Sequence, residues 1–428
     1  MTLHIDFNDI WSFILLTNFV ILHRKYNIRE FMCIVSEEFQ AFVEDHKKED
    51  SASLRLKYKA VPIFCGVDAI TQIESLRKAS GKLDSFTANP DFIFPSTLSA
   101  EQASNELVAS YHASLFRPSD QAVDLTAGLG IDSMTIARKV ASMTAIERFP
   151  LYADVLRHNS SLLRLANYKV INADSSEWIT ETDSHFDAIF IDPARRSSSN
   201  KRTYAFGDCE PDVVSLLPIL QEKSDHILIK ASPMLEIKQV LREIRDISRV
   251  HVVSVGGECK ELLLEIFPGR NAATDLLCVA LLKNGERSIM SFSENDIGKQ
   301  PSCFASFNAG HTPKYLYDPD ANIMKVAPWM ALTLKFPEIT KIAPNTHLYV
   351  SDKLYPYFPG RIFSIRAVAD KATIRDLKHT PLNIVCRNFP ETADEVRKRL
   401  NVRSGQDDFL FCFRTQKKQT LRLLAQRL

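Results

Sequence analysis

Short apolar runs alternate with amphipathic stretches from about residue 118 to residue 283, and no other feature of this 428-residue chain restricts its fold as strongly. Seven of the runs have the length and composition of buried strands, at 122–126, 143–146, 168–171, 186–191, 226–230, 250–255 and 276–282. Helix-like segments lie between most of them, at 131–140, 151–166, 213–221 and 236–244. Strands that alternate with helices predict an α/β fold built on a mostly parallel, doubly wound, Rossmann-like sheet.

The chain on either side of this domain has a different pattern. Apolar residues three and four positions apart predict a helical N-terminal region at 1–117, although residues 1–30 fit that pattern poorly and stand as a separate extension. The doubly wound domain is assigned to 118–285. A polar stretch then leads into a mixture of strand-like and helix-like pieces, which predicts two small α+β modules at 286–355 and 356–428.

The cysteine content and the apolar runs exclude several classes of protein. The eight cysteines are never closer than 19 positions apart, so the chain has neither the CxxC pairs of a zinc site nor a dense disulfide framework. The longest apolar run, at residues 11–22, is shorter than the ~20 residues of a membrane span. Asp6 and Asp9 precede it where a secretory signal has basic residues. We therefore expect a cytoplasmic protein with reduced thiols, no membrane association and no metal site.

The charge distribution along the chain is uneven. The whole chain has 53 basic and 52 acidic side chains, which gives a net charge of +1. The segment from Arg361 to the end alone carries 15 basic and seven acidic side chains. A basic C-terminal end on a mildly acidic body indicates an anionic partner.

A glycine-containing turn follows the first predicted strand and opens the first predicted helix of the doubly wound domain. Its pattern is Asp-x-Thr-x-Gly-x-Gly-x-Asp, formed by Asp124, Thr126, Gly128, Gly130 and Asp132. Glycines let the backbone N–H groups of such a turn approach a ligand closely, and the helix N-terminus adds partial positive charge. Because such turns also occur as plain tight connections, the pattern alone does not establish a cofactor site.

Acidic residues follow the next three strands as well. Glu147 ends the second strand, where a carboxylate accepts hydrogen bonds from both ribose hydroxyls of a nucleoside. Asp174 follows the third strand, where it would accept from an adenine amino group, and Asp192 with Pro193 follows the fourth. Each acid taken singly is also explained as a helix cap or a solvated turn. Because the carboxyl ends of parallel strands share one edge of the sheet, the whole set predicts a nucleoside site there.

The residues distinguish between S-adenosyl-L-methionine and a nicotinamide dinucleotide as the ligand. A dinucleotide site needs glycine or alanine at the third position of its fingerprint, which here is Ser133, and a helix N-terminus that accepts a pyrophosphate. Asp132 at that terminus would repel a pyrophosphate. Asp124 suits instead a ligand that carries an ammonium and a sulfonium group. The residues therefore favour S-adenosyl-L-methionine over NAD.

The turn and the acids that follow it resemble the motifs of class I S-adenosylmethionine-dependent methyltransferases. Over roughly residues 60–428 the chain is similar to the bacterial methyltransferases with a C-terminal THUMP-like domain, through the motifs Glu101-Gln-Ala-Ser104, Ile191-Asp-Pro-Ala-Arg-Arg196, Lys230-Ala-Ser-Pro-Met234, Gly257-Glu-Cys-Lys-Glu-Leu262 and Phe358-Pro-Gly-Arg-Ile-Phe363. The resemblance implies that the module at 286–355 is ferredoxin-like and that the module at 356–428 is THUMP-like. It also implies a cofactor site formed by Asp124, Thr126, Gly128, Gly130, Asp132, Glu147 and Asp174.

The residues after the fourth strand are the candidate catalytic group. Asp192-Pro193-Ala194-Arg195 resembles the Asp/Asn-Pro-Pro-aromatic motif of methyltransferases that modify amino groups of nucleic acids. It departs from that motif because alanine replaces the second proline and arginine replaces the aromatic residue. Asp192 and the carbonyl of Pro193 would accept the two N–H groups of an exocyclic amine and direct its nitrogen at the methyl group.

The departures leave open which side chain stacks on the target base. Arg195 would do so through its guanidinium, or Tyr204 or Phe206 would do so from the following loop. Arg195 and Arg196 are also explained as ion-pair partners of nearby acids.

Further residues near the strand ends have less specific interpretations. Cys209 lacks the proline-cysteine context of a pyrimidine carbon-5 nucleophile, so we interpret it as an ordinary thiol. Lys230 and Lys260 either reach substrate phosphate or form ion pairs at the edge of the sheet. His251 begins a buried strand and is interpreted as structural.

The leading hypothesis is an S-adenosylmethionine-dependent methyltransferase that modifies a base of structured RNA, tRNA or rRNA, at an exocyclic amine. THUMP domains bind RNA, and basic residues of the C-terminal module would contact phosphates: Arg397, Lys398, Arg399, Arg403, Arg414, Lys417, Lys418, Arg422 and Arg427. These residues are also explained as a solvated helix face and, around 421–424, as an amphipathic helix. The alternatives are a methyltransferase for a protein or small molecule, and a non-catalytic RNA-binding protein with the same fold. The sequence leaves the RNA species, the methylated atom and the oligomeric state open.

Overall fold

A computed structural model of the chain describes residues 35–195, 206, 209–270, 273–307 and 311–428. The predicted extension at 1–30 and the residues Arg196 and Tyr204 lie outside the described residues. Within those ranges, no helix is long and apolar enough to cross a membrane. The His, Cys, Asp and Glu side chains of the same ranges form no group of three or more arranged to hold a metal ion.

Short helices form most of the N-terminal region. They are α1 (Glu37–His46), α2 (Ser51–Lys57), α3 (Ala69–Ala79), α4 (Asp84–Thr87), α5 (Thr97–Gln102) and α6 (Glu106–Ala113), and the strands β1 (Ile63–Phe64) and β2 (Val67–Asp68) form a small hairpin before α3. Ser96 sets the start of α5 because its hydroxyl accepts a hydrogen bond from the Ser99 N–H. Phe86 and Phe92 share a core with Leu129 of the next domain, so the helical region packs directly against that domain.

A nine-stranded sheet follows. Its strands are β3 (Gln121–Asp124), β4 (Ser142–Glu147), β5 (Tyr168–Asn172), β6 (Ala188–Ile191), β9 (Ile227–Ala231), β10 (Ile247–Val255), β11 (Glu258–Ile266), β12 (Asp275–Leu281) and β13 (Arg287–Ser293). They lie in the order β13-β12-β10-β11-β9-β6-β3-β4-β5. All run in one direction except β11 and β13. The predicted mostly parallel, doubly wound sheet is confirmed.

The strand order reverses beside β3. From β3 the chain adds β4 and β5 on one side of the sheet and then returns to add β6 and β9 on the other. In open sheets of this kind, ligands bind in the crevice outside the carboxyl ends of the strands, at this switch point. The topology therefore places the ligand crevice at the ends of β3 and β6.

Helices cover both faces of the sheet. They are α7 (Ile131–Ala137), α8 (Pro150–Leu162), α9 (Ser175–Glu181), α10 (Val213–Lys223) and α11 (Ile237–Glu243). Alternate residues of each strand point to opposite faces. Ala122 and Phe190 accordingly pack in a core with Ile136 of α7, whereas Val123 and Ile189 pack in a core with residues of α10 and α11.

Two strands of this sheet were not predicted. β11 runs antiparallel between β9 and β10 and forms a hairpin with β10. β13 pairs with β12, so the domain extends past the boundary predicted at residue 285. β13 lies at the edge of the sheet, and most of its residues are exposed. Its sequence therefore contains the polar residues that indicated a linker.

The C-terminal part of the chain forms a seven-stranded sheet. Its elements are β14 (Tyr315–Pro319), α12 (Ala321–Val326), α13 (Trp329–Lys335), β15 (Thr340–Ala343), β16 (Thr346–Ser351), β17 (Gly360–Val368), α14 (Lys371–Asp376), β18 (Asn383–Arg387), α15 (Ala393–Leu400), β19 (Asp408–Arg414) and β20 (Thr420–Arg427). The strand order is β15-β16-β14-β17-β20-β19-β18. The two predicted modules therefore share one sheet, which is continuous through the antiparallel pair of β14 and β17.

The segment interpreted as a C-terminal amphipathic helix is strand β20, so that interpretation was wrong. β20 pairs with β17 on one side and β19 on the other. Leu423 and Ala425 face one core of this sheet, and Leu424 packs against the core on the opposite face. Alternation between two buried faces requires an extended backbone, and one of the two pairing partners, β17, is far away in the sequence.

Candidate active site

The acids predicted from the sequence lie at the carboxyl edge of the nine-stranded sheet. Asp124 ends β3, Glu147 ends β4, and Asp192 directly follows β6. Hydrogen bonds from the Gly128 N–H to Glu147 and from the Asp192 N–H to Thr126 join these strand ends to the turn after β3. The structure therefore brings together the residues at the switch point of the sheet.

The turn between β3 and α7 has a backbone that requires its glycines. Gly128 has φ +55° and Gly130 has φ +86°, both in the left-handed region. The Gly128 N–H donates to Oε2 of Glu147 at 2.9 Å, which ties the turn to the end of β4. A Cβ at Gly130 would overlap the side chain of Leu156 on α8, so glycine is also needed there for close packing.

Asp124 is the most deeply buried carboxyl group of the crevice. Its Oδ1 accepts a hydrogen bond from the Thr126 N–H at 2.8 Å. Burial, together with repulsion from Asp132, Asp192 and Glu147, raises the pKa of Asp124 to about 8. With this pKa, a cationic ligand beside the Asp124 carboxyl group would favour its ionised form near neutral pH.

Thr126 and Glu147 tie neighbouring strand ends together. The Thr126 hydroxyl accepts a hydrogen bond from the Asp192 N–H at 2.6 Å, which links the turn after β3 to the end of β6. Glu147 accepts from the N–H of Gly128 and, at 2.8 Å, from the N–H of Phe149. Burial raises the pKa of Glu147 above its usual range. Each of its oxygens has a second lone pair that is free of these two bonds.

Asp174 caps helix α9. Its Oδ1 accepts from the N–H groups of Ser176 at 2.9 Å and Glu177 at 3.2 Å. The helix-cap interpretation of this residue therefore applies to one carboxylate oxygen. The other oxygen, Oδ2, would be the one that accepts a hydrogen bond from an adenine amino group. This contact stays a prediction.

Asp192 forms an ion pair with Lys230. The Lys230 ammonium at the end of β9 donates to Oδ2 of Asp192 at 2.7 Å. Of the two interpretations of Lys230, the structure favours the ion pair at the sheet edge. Pro193 is half-buried beside Asp192.

The chain after Pro193 forms the base of a hairpin. The two-residue strands β7 (Ala194–Arg195) and β8 (Cys209–Glu210) pair antiparallel, with Arg195 opposite Cys209. Phe206 is 1% exposed and belongs to the core under the sheet, so it does not present a ring for stacking on a base. The proposed stacking by Phe206 was wrong because its ring lies in this core.

Comparison with known proteins supports the assignment of the whole chain. A crystal structure of a protein from Porphyromonas gingivalis W83, provisionally named a methyltransferase, superposes with a TM-score of 0.78 at 27% identity and covers 91% of this chain and 97% of that one. A family model for a ferredoxin-like domain matches residues 315–359, and a model for a THUMP domain-like family matches residues 360–427. Over most of its length the chain shares the fold of that protein, and its C-terminal part is a THUMP-like domain.

Curated relatives match a shorter segment. Ribosomal RNA small subunit methyltransferase J of Francisella tularensis subsp. novicida is 35% identical over 79 residues, which is 17% of this chain and 33% of that protein. An uncharacterised RNA methyltransferase of Mycoplasma mobile is 30% identical over 77 residues, which is 18% of this chain and 21% of that protein. The chain therefore spans a third or less of the length of these relatives.

Asp132 belongs to a buried polar network that the sequence did not reveal. Its Oδ2 accepts from the Ser104 hydroxyl at 2.6 Å, and its Oδ1 contacts Nδ1 of His112 at 2.8 Å. His112 Nε2 contacts Glu261 of β11, and the Lys230 ammonium donates to the Ser104 hydroxyl at 3.0 Å. Since both Asp132 oxygens have protein partners, its role toward a cofactor stays a prediction.

The charges of this network hold one another in the ionised state. Burial alone would lower the pKa of His112, but Glu261 and Asp132 raise it to about 10. Burial would likewise raise the pKa of Asp132, but His112 and Lys230 lower it to about 2. Asp192, Asp132 and Glu261 raise the pKa of Lys230 above its usual range against the effect of burial. The domain of the nine-stranded sheet and the helical N-terminal region are thus joined by ion pairs and hydrogen bonds between buried side chains.

The sequence indicated no role for His112, and it pointed to Glu261 only as part of the motif from Gly257 to Leu262. His112 is on α6, and Glu261 is on β11, where Glu265 is a second buried acid. A charged residue at a buried strand position is a signal for a buried partner, because an unpaired buried charge is costly. The partner is 149 positions away, so the sequence alone does not identify it.

Replacing His112 with alanine is expected to lower the free energy of unfolding by about 3–5 kcal/mol, because Asp132 and Glu261 would remain as unpaired buried charges. The pKa of His112 is raised from 6.5 to about 10, so its contribution is complete below pH 6.5 and is lost as the pH rises toward 10. Urea unfolding at pH 6 and pH 10 measures this: the difference between wild type and variant should shrink at pH 10.

Lys260→Ala is the control for the His112 variant. Lys260 pairs with Glu258 on the surface, where both side chains are exposed. This change should cost less than about 1 kcal/mol. Equal losses in the two variants, or a His112 effect that does not change with pH, would contradict the ionised network.

The basic residues predicted to contact phosphate are spread over the THUMP-like domain. Arg397, Lys398 and Arg399 lie in the last turn of α15, and Arg397 and Arg399 pair with Asp394 and Glu391. The remainder lie in the loops around β19 and β20 or on those strands: Arg403, Arg414, Lys417, Lys418, Arg422 and Arg427. Ion pairing reduces the charge that the helix offers to an anionic partner.

Proposed function

We propose that this protein transfers a methyl group from S-adenosyl-L-methionine to a base of a structured RNA, tRNA or rRNA. The observation that carries the proposal is the cluster of Asp124, Glu147 and Asp192 around the glycine turn at the switch point of the sheet. It occurs in a chain that continues into a THUMP-like domain.

The donor groups of the crevice fit S-adenosylmethionine. Asp124 supplies a carboxylate beside the turn for the cationic amino acid part of the cofactor, and Gly128 and Gly130 allow close approach of the backbone. The free lone pairs of Glu147 would accept from the ribose hydroxyls, and the second oxygen of Asp174 would accept from the adenine amino group. Thr126 and Asp132 would hold the turn in shape through their bonds to Asp192, Ser104 and His112. When bound, the cofactor supplies an electrophilic methyl group on a sulfonium.

The chain contributes positioning to the reaction. Lys230 holds Oδ2 of Asp192, which leaves Oδ1 and the Pro193 carbonyl to accept the two N–H groups of an exocyclic amine. Two acceptors in this arrangement orient the nitrogen lone pair toward the methyl group. Asp192 would then accept the proton that the amine loses as its new N–C bond forms. Arg195 is proposed to contact the target base.

RNA is favoured as the substrate by two independent observations. The relatives that match this chain over 77–79 residues are named RNA methyltransferases. The segment from Arg361 onward carries an excess of basic residues, as a polyanion-binding domain requires. From these two observations we propose that this protein also methylates RNA.

The proposal is tested by offering S-adenosylmethionine with a labelled methyl group to three fractions of cells that lack the gene. These are total RNA, protein and small molecules. We expect labelling of RNA at a single modified nucleotide, identified by mass spectrometry after nuclease digestion, with no labelling of RNA from cells that have the gene. Labelling confined to the protein or small-molecule fraction would overturn the RNA assignment. No labelling in any fraction would favour a non-catalytic protein.

Binding of S-adenosylmethionine is expected to release a proton at neutral pH. The pKa of Asp124 is raised to about 8, so the carboxyl is mostly protonated at pH 7, and a cationic ligand beside it favours the ionised form. Affinity should therefore increase by up to about tenfold per pH unit below pH 8 and level off above it. Calorimetry in two buffers of different ionisation enthalpy measures the released proton.

The Asp124→Asn variant should bind S-adenosylmethionine without proton release. S-Adenosylhomocysteine, which lacks the sulfonium charge, should release less than the methylated cofactor in the wild type. If proton release is the same in wild type and variant, Asp124 is not the group that faces the cation.

A further inference from the structure

A cleft opens in the THUMP-like domain, far in sequence from the glycine turn. Its volume is about 490 Å³, which lies within the ~300–1,000 Å³ typical of sites for small ligands. The start of β17 and the end of β18 form its walls, and the segment that leads into α15 closes it. Arg361, Arg387, Phe389 and Glu391 are among the residues that line it.

The cleft carries more positive than negative charge. Arg361 and Arg387 both contact the single carboxylate of Asp318, which is 3% exposed. Glu391 is neutralised by a two-pronged ion pair with Arg399, at 2.8 and 3.1 Å. One guanidinium of the pair on Asp318 is therefore left without a compensating charge.

Arg422 adds a second positive charge beside the cleft. Its guanidinium lies 5.1 Å from the centre of the Phe389 ring. No ion pair to Arg422 forms within the part of the chain that the structure describes. The Nε atoms of Arg387 and Arg422 are buried and have no hydrogen-bond partner in that part of the chain. A buried donor without a partner is costly, so these two guanidinium groups have hydrogen-bonding capacity that the protein itself leaves unused.

The combination of features selects the chemistry of the ligand. Guanidinium groups bind phosphate oxygens through paired hydrogen bonds. An aromatic ring beside them offers a surface on which a nucleobase stacks. The half-buried Phe389 ring lines the cleft and also packs against the core of this domain.

We propose that this cleft binds one phosphate-bearing nucleotide of the substrate RNA, with Arg387 on the phosphate and Phe389 against the base or sugar. The proposal rests on the proposed function, because it assigns the anion to the RNA that the methyltransferase domain modifies. The cleft acts as a docking site that holds the RNA while a different nucleotide occupies the crevice at β3 and β6.

The experiment compares RNA binding by wild type, Arg387→Gln and Arg366→Gln, with no S-adenosylmethionine present. Arg366 is the matched control: it is an arginine of the same domain, on β17, with similar exposure and an ion pair to Asp408. Total RNA from cells lacking the gene is the probe, with AMP and inorganic phosphate as competitors. Thermal unfolding of each variant checks that the domain is folded, and Arg387→Lys serves as a second variant that retains the charge.

The Arg387→Gln variant should bind RNA at least about tenfold more weakly, because a charged hydrogen bond is lost. The slope of log affinity against log salt should fall by about 0.7 if the contact is to single-stranded RNA. Arg366→Gln should change affinity by less than about threefold, Arg387→Lys should be intermediate, and AMP should compete better than inorganic phosphate. If Arg387→Gln and Arg366→Gln weaken RNA binding equally, or if neither weakens it, the proposal that the cleft binds RNA is wrong.

The failure of the cleft and the failure of the methyl transfer are distinguishable. If RNA is methylated but its binding does not depend on Arg387, the cleft proposal alone is wrong. If Arg387-dependent RNA binding is found but no RNA is methylated, the cleft stands and the proposed reaction fails. If AMP binds in the cleft and RNA does not displace it, the ligand is a free nucleotide and the docking proposal is overturned.

Discussion

Replacing Asp192 with alanine is expected to lower kcat for methyl transfer to RNA by about 100-fold or more, with little change in the affinity for S-adenosylmethionine. The side chain would supply the acceptor that orients the attacking nitrogen and receives its proton. The contact that ties this position to the cofactor turn is made by the Asp192 backbone N–H to Thr126, so the substitution leaves it in place. Single-turnover methylation and calorimetry of cofactor binding measure the two effects separately.

Two further variants define what the Asp192 side chain contributes. Asp192→Asn retains the shape and one acceptor oxygen but not the charge, so we expect an intermediate loss of rate. Asp183→Ala removes an exposed aspartate before β6 and should leave the rate unchanged. An Asp192→Ala variant with a normal kcat would remove this residue from the reaction, whereas loss of cofactor affinity would assign it to binding.

Replacing Gly130 with alanine is expected to destabilise the domain of the nine-stranded sheet by about 2–5 kcal/mol and to abolish cofactor binding. Alanine at φ +86° costs about 1–2 kcal/mol in backbone strain. The new Cβ would overlap Leu156 and approach Cε of Met134 at 3.1 Å, and overpacking of this kind costs about 1–3 kcal/mol. Leu156 is on α8 and Gly130 directly precedes α7, so the clash would push these two helices apart.

Gly128→Ala is the matched control for this prediction. Gly128 also has a left-handed backbone, with φ +55°, but the nearest atom to an added Cβ is the Thr126 carbonyl oxygen at 3.9 Å. Only the strain term remains, so the loss should be about 1 kcal/mol. Urea unfolding of both variants measures the difference. Equal losses would mean that packing at Gly130 contributes nothing.

The sequence predicted the core of the fold because the signals for it are local. The central parallel strands are short apolar runs, such as β6 (Ala188–Ile191), because burial on both faces disfavours polar residues there. The glycine turn was also predictable, because Gly128 and Gly130 meet a backbone requirement that few other residues satisfy. The positions of Asp124, Glu147 and Asp192 at one edge follow from the rule for parallel strands.

The tertiary structure decided what depends on contacts distant in sequence. β20 became a strand instead of a helix because β17, which precedes α14 and α15 in the chain, pairs with it. β13 joined the large sheet through its hairpin with β12, whose other edge pairs with β10. Phe206 lies in a core formed by residues from distant parts of the chain.

The partners of the buried charges were decided in the same way. Asp132 and Lys230 were recognised as polar residues near a ligand site, but their bonds to His112 and Ser104 required α6 and the segment after α5 to pack against the sheet. The sequence determines which side chains are charged. Which opposite charge neutralises each of them is set by the fold, since burial makes the pairing obligatory only after distant segments have come together.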